Sequence, residues 1–124
     1  FELTRKAFRR ANFDMAFVFK YSPRAGTKSA LMPDDVSEDE KERRNAELLK
    51  ELEKTSLDFN NALVGRTERV LVEGAARRGE GMMMGRTRTH RKAIFKAPAE
   101  LAGQFANVKI LAATTTALDA QLAE

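Results

Sequence analysis

LVGRTERVLVEGAARRGEGMMMGRTRTHRKAIFKAP, residues 63–98, decides how the second half of this chain folds. The helical period that precedes Leu63 stops there, and short apolar runs (VGRTERVLVEG, GMMMGRTRT, KAIFKAP, then GQFANVKILAAT) alternate with glycine. Gly65, Gly74, Gly79, Gly81, Gly85 and Gly103 fall where turns and bulges of a small closed barrel are needed. About 60 residues of short strands around Val70, Val72, Met82, Met84, Ile94, Phe95, Val108 and Ile110 predict an OB-like barrel. The run Met82, Met83, Met84 suits either core packing or an adaptable groove.

Upstream of Leu63 the pattern is different. Glu2 to Asn12 reads as a helix with Leu3, Ala7, Phe8 and Ala11 on one face. FDMAFVFKY (Phe13–Tyr21) then alternates with both faces apolar, which predicts a strand of a helix-covered parallel sheet. A lone strand cannot pair its own backbone, so its neighbours are expected from sequence outside this chain, as for a piece of a longer protein. SPRAGT (Ser22–Thr27) is a loop. Ser37 with Glu40 makes a capping box, and a long charged helix follows to about Asn61, with Leu48, Leu49, Leu52 and Phe59 as its apolar stripe and Glu40–Arg44 as an exposed i,i+4 pair.

Composition and charge narrow the chemistry. The 124 residues, 43% hydrophobic and 32% charged, fit one domain or two small lobes of a soluble protein. No apolar run reaches the roughly 20 residues of a membrane span, and no membrane partner is expected. The absence of cysteine excludes disulfides, thiolate metal sites and cysteine nucleophiles within these residues, and a single histidine, His90, makes a histidine metal site implausible. Residues 1–62 balance 12 basic against 12 acidic side chains, so the excess of +4 resides in the second half. Between Arg66 and Lys96 nine basic residues face Glu68, Glu73 and Glu80. Such a local excess serves either solubility or a polyanion partner, RNA or DNA first.

The candidate contacts are Arg66, Arg77, Arg78, Arg86, Thr87, Arg88, Thr89, His90, Arg91 and Lys92. Strand alternation in GRTRTHRK puts Arg86 and Arg88 on one face and Thr87 and Thr89 on the other, with His90, Arg91 and Lys92 leaving through a turn. Guanidinium forks, hydroxyls and one imidazole suit phosphates, 2′-hydroxyls and stacked bases. His90 has no carboxylate or nucleophile motif beside it that would make it a catalyst. Arg24 follows the carboxyl end of the expected strand, where parallel α/β folds assemble ligand sites; a purely structural loop arginine fits equally well.

YSPRAGT after FxMAFVFK, a long Glu-rich helix, LVGRTERVLVEG, GxxMGRTRTxR and VKILAATTTAL together resemble the C-terminal part of the MiaB-type tRNA methylthiotransferases, from Phe1 to Leu118. The resemblance implies an α+β fold, with residues 1–60 as the terminal helix-strand-helix piece of a radical-SAM partial α/β barrel and its linking helix, and 61–123 as a TRAM domain. It implies cytoplasmic tRNA modification, in which a methylthio group is added to carbon 2 of isopentenyladenosine beside the anticodon. Two 4Fe-4S clusters and S-adenosylmethionine are the implied cofactors, the tRNA anticodon arm and the remainder of the enzyme the implied partners. Ser22, Pro23 and Arg24 would line the edge of the S-adenosylmethionine and substrate cavity. Ala25 and His90 replace the family's usual proline and asparagine, and the cluster motif CxxxCxxC is missing, so the chain by itself is expected to be inactive. A sister branch that modifies a ribosomal protein is acidic where this chain reads RTRTHRK, which favours a nucleic-acid substrate here. A free-standing OB-like RNA-binding module without catalysis is the alternative.

Overall fold

A left-handed Asn12 (φ 51°, ψ 53°) ends the first helix, α1 (Glu2–Ala11), donating its N–H to the Phe8 carbonyl at 2.9 Å. The computed structural model describes residues 1–77 and 79–123, which fall into two compact units divided between Thr55 and Ser56. In the first unit, the Ser37 hydroxyl accepts from the Glu40 N–H at 3.3 Å and opens α2 (Glu38–Asn61), whose first turn carries Glu38, Asp39 and Glu40. Arg5 of α1 donates to Glu51 of α2 at 2.8 and 3.0 Å, and Arg9 reaches the same carboxylate at 2.6 Å. Glu40–Arg44 forms the expected i,i+4 pair at 2.6 Å.

Two expectations for the residues ahead of the strands fail. Phe13–Tyr21 belongs to no strand, because no described segment offers it a ladder of hydrogen bonds. Its alternation survives one-sidedly: Ala16 and Val18 are half-buried, while Phe17 and Phe19 are each 82% exposed and stack on one another at 6.4 Å. The apolar stripe of α2 also differs. Leu48 is buried and Leu52 half-buried, whereas Leu49 and Phe59 are exposed; the covered positions continue four residues apart to Ser56 and Asn60.

The second unit contains the end of α2 and five strands: β1 (Thr67–Ala75), β2 (Met82–Thr87), β3 (Lys92–Lys96), β4 (Phe105–Ala113) and β5 (Leu118–Leu122). They close into a barrel in the order β1-β2-β3-β5-β4, with β1 pairing both β2 and β4. Every pairing is antiparallel except β3 with β5. Among the described residues the fold is therefore α+β, two α-helices and a small OB-like barrel.

Val70, Val72, Val108, Ile110, Phe95 and Leu118 are fully buried inside the ring, with Met83 and Ala93 beside them. Burying a side chain of this size contributes about 1.5–3 kcal/mol. The alternation sets the register: Met83 points inward while Met82 and Met84 do not, and Ala93 and Phe95 point inward while Ile94 does not. Gly85 explains the choice on β2. A Cβ there would lie 2.9 Å from the Leu71 carbonyl oxygen and 3.1 Å from Val70 Cγ2, so β1 and β2 meet closely only because that inward position is empty. Gly74, at φ 145°, occupies the register shift that bends β1 after Val72. At the end of α2, the Asn60 amide donates to the Thr114 carbonyl at 2.7 Å, tying the helix to the β4–β5 turn.

Candidate nucleic-acid interface

Pairing across four neighbouring strands aligns Phe105 (β4), Leu71 (β1), Arg86 (β2) and Lys92 (β3) as successive partners. Their chain neighbours Val70, Val72, Thr87 and Ala93 are buried, so all four project from the outer face. Phe105 is 61% exposed and Leu71 39%. The row runs from an aromatic ring, over an aliphatic side chain, to two cations.

A groove of about 640 Å³ lies along this face. The Arg69 guanidinium sits 4.3 Å from the centre of the Phe105 ring. Arg86 is anchored: its Nε donates to the two Glu73 carboxylate oxygens at 3.1 and 3.4 Å, and its Nη1 donates to the His90 carbonyl at 3.3 Å. These bonds fix the guanidinium at the groove wall, so the side chain gives up little further freedom when an anion arrives.

The β2–β3 connection completes the groove. Arg88, Thr89 and His90 form a three-residue hairpin loop, closed by Thr87 N–H to the Arg91 carbonyl and His90 N–H to the Thr87 carbonyl, both at 2.9 Å. His90 takes the left-handed conformation, φ 62°, that this loop type requires of its last residue. Because the strand ends at Thr87, Arg88 does not share a strand face with Arg86 as alternation predicted, yet both arginines and His90 line the same groove.

Of the remaining predicted contacts, Thr87 also lines the groove and the others are dispersed. Thr87 is 4% exposed; its hydroxyl accepts from the Arg91 N–H at 3.0 Å and lies 3.2 Å from that of Thr89, so it shapes the turn. Arg91 is 8% exposed, and Thr89 is exposed on the loop. Arg66 is exposed ahead of β1 and Arg77 on the β1–β2 connection, and neither lines the groove. Arg78 lies outside the described residues. In the first unit Ser22, Pro23 and Arg24 are exposed on a loop whose Arg24 carbonyl accepts from Thr27 N–H and hydroxyl, at 3.2 and 2.8 Å. A separate cavity of about 390 Å³ in that unit is lined by Phe19, Tyr21, Asp34 and Lys41, among others, and by none of those three.

Sequence reasoning missed Phe105, Leu71, Arg69 and Glu73 as groove residues. Arg69 and Leu71 could have been placed outside by parity with Val70 and Val72; Phe105 could not, since β4 reaches β1 only through long-range pairing. The donor set excludes one implied group: the chain has no cysteine, and no trio of histidine, aspartate or glutamate gathers among the described residues, so these residues do not fit an iron–sulfur cluster. No described helix is long and apolar enough to cross a membrane.

The TRAM domain family matches residues 61–123. The chain is 39% identical over 118 residues to the tRNA-2-methylthio-N(6)-dimethylallyladenosine synthase of Actinobacillus pleuropneumoniae serotype 5b, 41% over 118 to that of Haemophilus influenzae strain PittEE, and 43% over 122 to that of Opitutus terrae. These alignments take in 95–98% of the chain, which spans about a quarter of the length of each of these curated relatives.

Proposed function

The chain belongs to the TRAM domain family, and on that premise we propose that its barrel grips the anticodon arm of tRNA as the C-terminal part of a tRNA methylthiotransferase. In this reading residues 1–60 are the end of a radical-SAM domain with its linking helix, and 61–123 the RNA-binding domain. The enzyme places a methylthio group on carbon 2 of isopentenyladenosine beside the anticodon, in the cytoplasm. Its two 4Fe-4S clusters belong to the remainder of the enzyme, since no residue of this chain can supply a thiolate. Ser22, Pro23 and Arg24 form the edge of the S-adenosylmethionine and substrate cavity only when that remainder is packed beside them.

The observation that carries the RNA-binding reading is the convergence of Arg69, Arg86, Arg88 and His90 on one groove of a barrel with its own complete core. That complete core also favours the second reading, a free-standing RNA-binding module. A source reading frame that continues upstream through CxxxCxxC selects the enzyme.

Salt titration of the full chain against an anticodon stem-loop RNA tests the binding. Affinity is expected to fall steeply with salt, and Arg86→Ala with Arg88→Ala to reduce the slope of log affinity against log salt by about 0.7–0.9 for each phosphate no longer neutralised. The pair should cost about 1.5–3 kcal/mol for each charge-assisted hydrogen bond to phosphate that it removes, with an unchanged circular dichroism spectrum. Salt-insensitive binding, or an unaffected double variant, moves the phosphate-binding residues elsewhere.

A further inference from the structure

We propose that the cross-strand row holds one unpaired nucleotide in a fixed orientation, its base on Phe105 and Arg69 and its phosphate at Arg86 and Lys92. This rests on the RNA-binding reading above and specifies the kind of RNA that the groove accepts: a looped-out or single-stranded nucleotide, not a duplex backbone.

The row has two chemically distinct ends. At the β4 end, Phe105 and Leu71 are adjacent across the β1–β4 pairing and both are exposed, with the flat Arg69 guanidinium over the ring. A phosphate gains nothing from an aliphatic and an aromatic surface. A base has a π-face that stacks on either the ring or the guanidinium plane, whichever base it is. At the β2–β3 end, Arg86 and Lys92 are partners across the ladder; Arg86, Arg88 and His90 line the groove, and Lys92 stands at the next position of the row outside its lining. Neighbouring strands lie about 4.8 Å apart, so the backbone positions of the row spread over about 14 Å across the four strands. The nucleotide therefore lies across the strands, base towards β4 and phosphate towards β3.

Glu73 gives the arrangement a direction. Its carboxylate holds the Arg86 Nε and the His90 carbonyl holds Nη1, so an anion meets the guanidinium at Nη2, in a groove to which Arg88 adds further positive charge. A duplex cannot use the aromatic end, because its bases are stacked on one another and present only edges.

The test compares a loop RNA carrying 2-aminopurine at one unpaired position with a fully paired hairpin stem of equal length, each titrated with the full chain, with Phe105→Ala and with Arg86→Ala. Phe105→Ala should weaken loop binding about 5- to 150-fold, leave the salt slope unchanged and abolish the fluorescence change of the stacked base. Arg86→Ala should lower the slope. The paired stem should bind weakly and be indifferent to Phe105. Equal binding of stem and loop, or Phe105→Ala acting on the salt slope instead of the fluorescence, overturns this inference while the RNA-binding function stands. If neither RNA binds, the proposed function falls and the inference with it. Phe105→Tyr, which keeps the ring, should restore loop binding; failure to do so would also overturn the stacking role.

Discussion

His90 carries two roles that can be separated. Its backbone must be left-handed to close the hairpin loop, a conformation that costs an L-residue about 1–2 kcal/mol and glycine almost nothing. His90→Gly is therefore expected to raise the urea midpoint, by up to about 1 kcal/mol in stability, while removing the imidazole from the groove; a lower midpoint would show that the side chain supports the loop. Gly85 predicts the opposite sign. Gly85→Ala forces a methyl against the Leu71 carbonyl and Val70, and should destabilise the barrel by about 1–3 kcal/mol in denaturant titration. The sequence announced both positions as special, but for incomplete reasons. Glycine at 85 read as punctuation, when its work is to let two strands approach; and the choice of Met83 over Met82 and Met84 depended on that unforeseen inward gap.

Among the elements, α2 was the most legible, since the capping serine, the acidic first turn and the i,i+4 pair are local features that need no tertiary partner. Its acid sensitivity follows from its ion pairs. Hydrogen bonds from Arg43 and then Arg44 hold the Glu40 carboxyl at about 2, against an ordinary 4.5, and Arg9 and Arg5 lower that of Glu51. Carboxyl pKa values depressed on folding contribute stability that is present above 4.5 and lost as pH falls through the folded value. Helical circular dichroism should accordingly decline between pH 4.5 and about 2, and Glu40→Gln should start with less helix at neutral pH and decline less over that interval. A decline of equal depth in the variant would assign the acid transition to other groups. The Phe13–Tyr21 segment shows the reverse lesson: its composition was readable, but a strand exists only as a partner in a ladder, and no described segment provides one.

For the whole molecule, the two units differ in how their backbones are satisfied. The Val72 N–H donates to the Gln104 carbonyl and that of Ile110 to Arg66, each at 2.9 Å and inside a closed ring. The backbone from Phe17 to Phe19 lies in no ladder. Hydrogen exchange should protect Val70–Val72 and Val108–Ile110 far longer than Phe17–Phe19; equal protection would require pairing of the latter by another chain. OB-like closure was legible in the spacing of short strands and glycines, whereas the ring order, and with it the row that joins Phe105 to Arg86, arises from pairings between distant residues. The seam between β3 and β5 is the narrowest of the ring: only Ala93 with Leu118 and Ile94 with Asp119 stand in register, and they run parallel, the weaker arrangement. Parting there unzips the cylinder into a curled sheet whose two bared borders match each other, in the same molecule or in a second one. Concentrated protein held just below its melting temperature should thus yield strand-exchanged dimers by size-exclusion chromatography, reverting on dilution and rewarming.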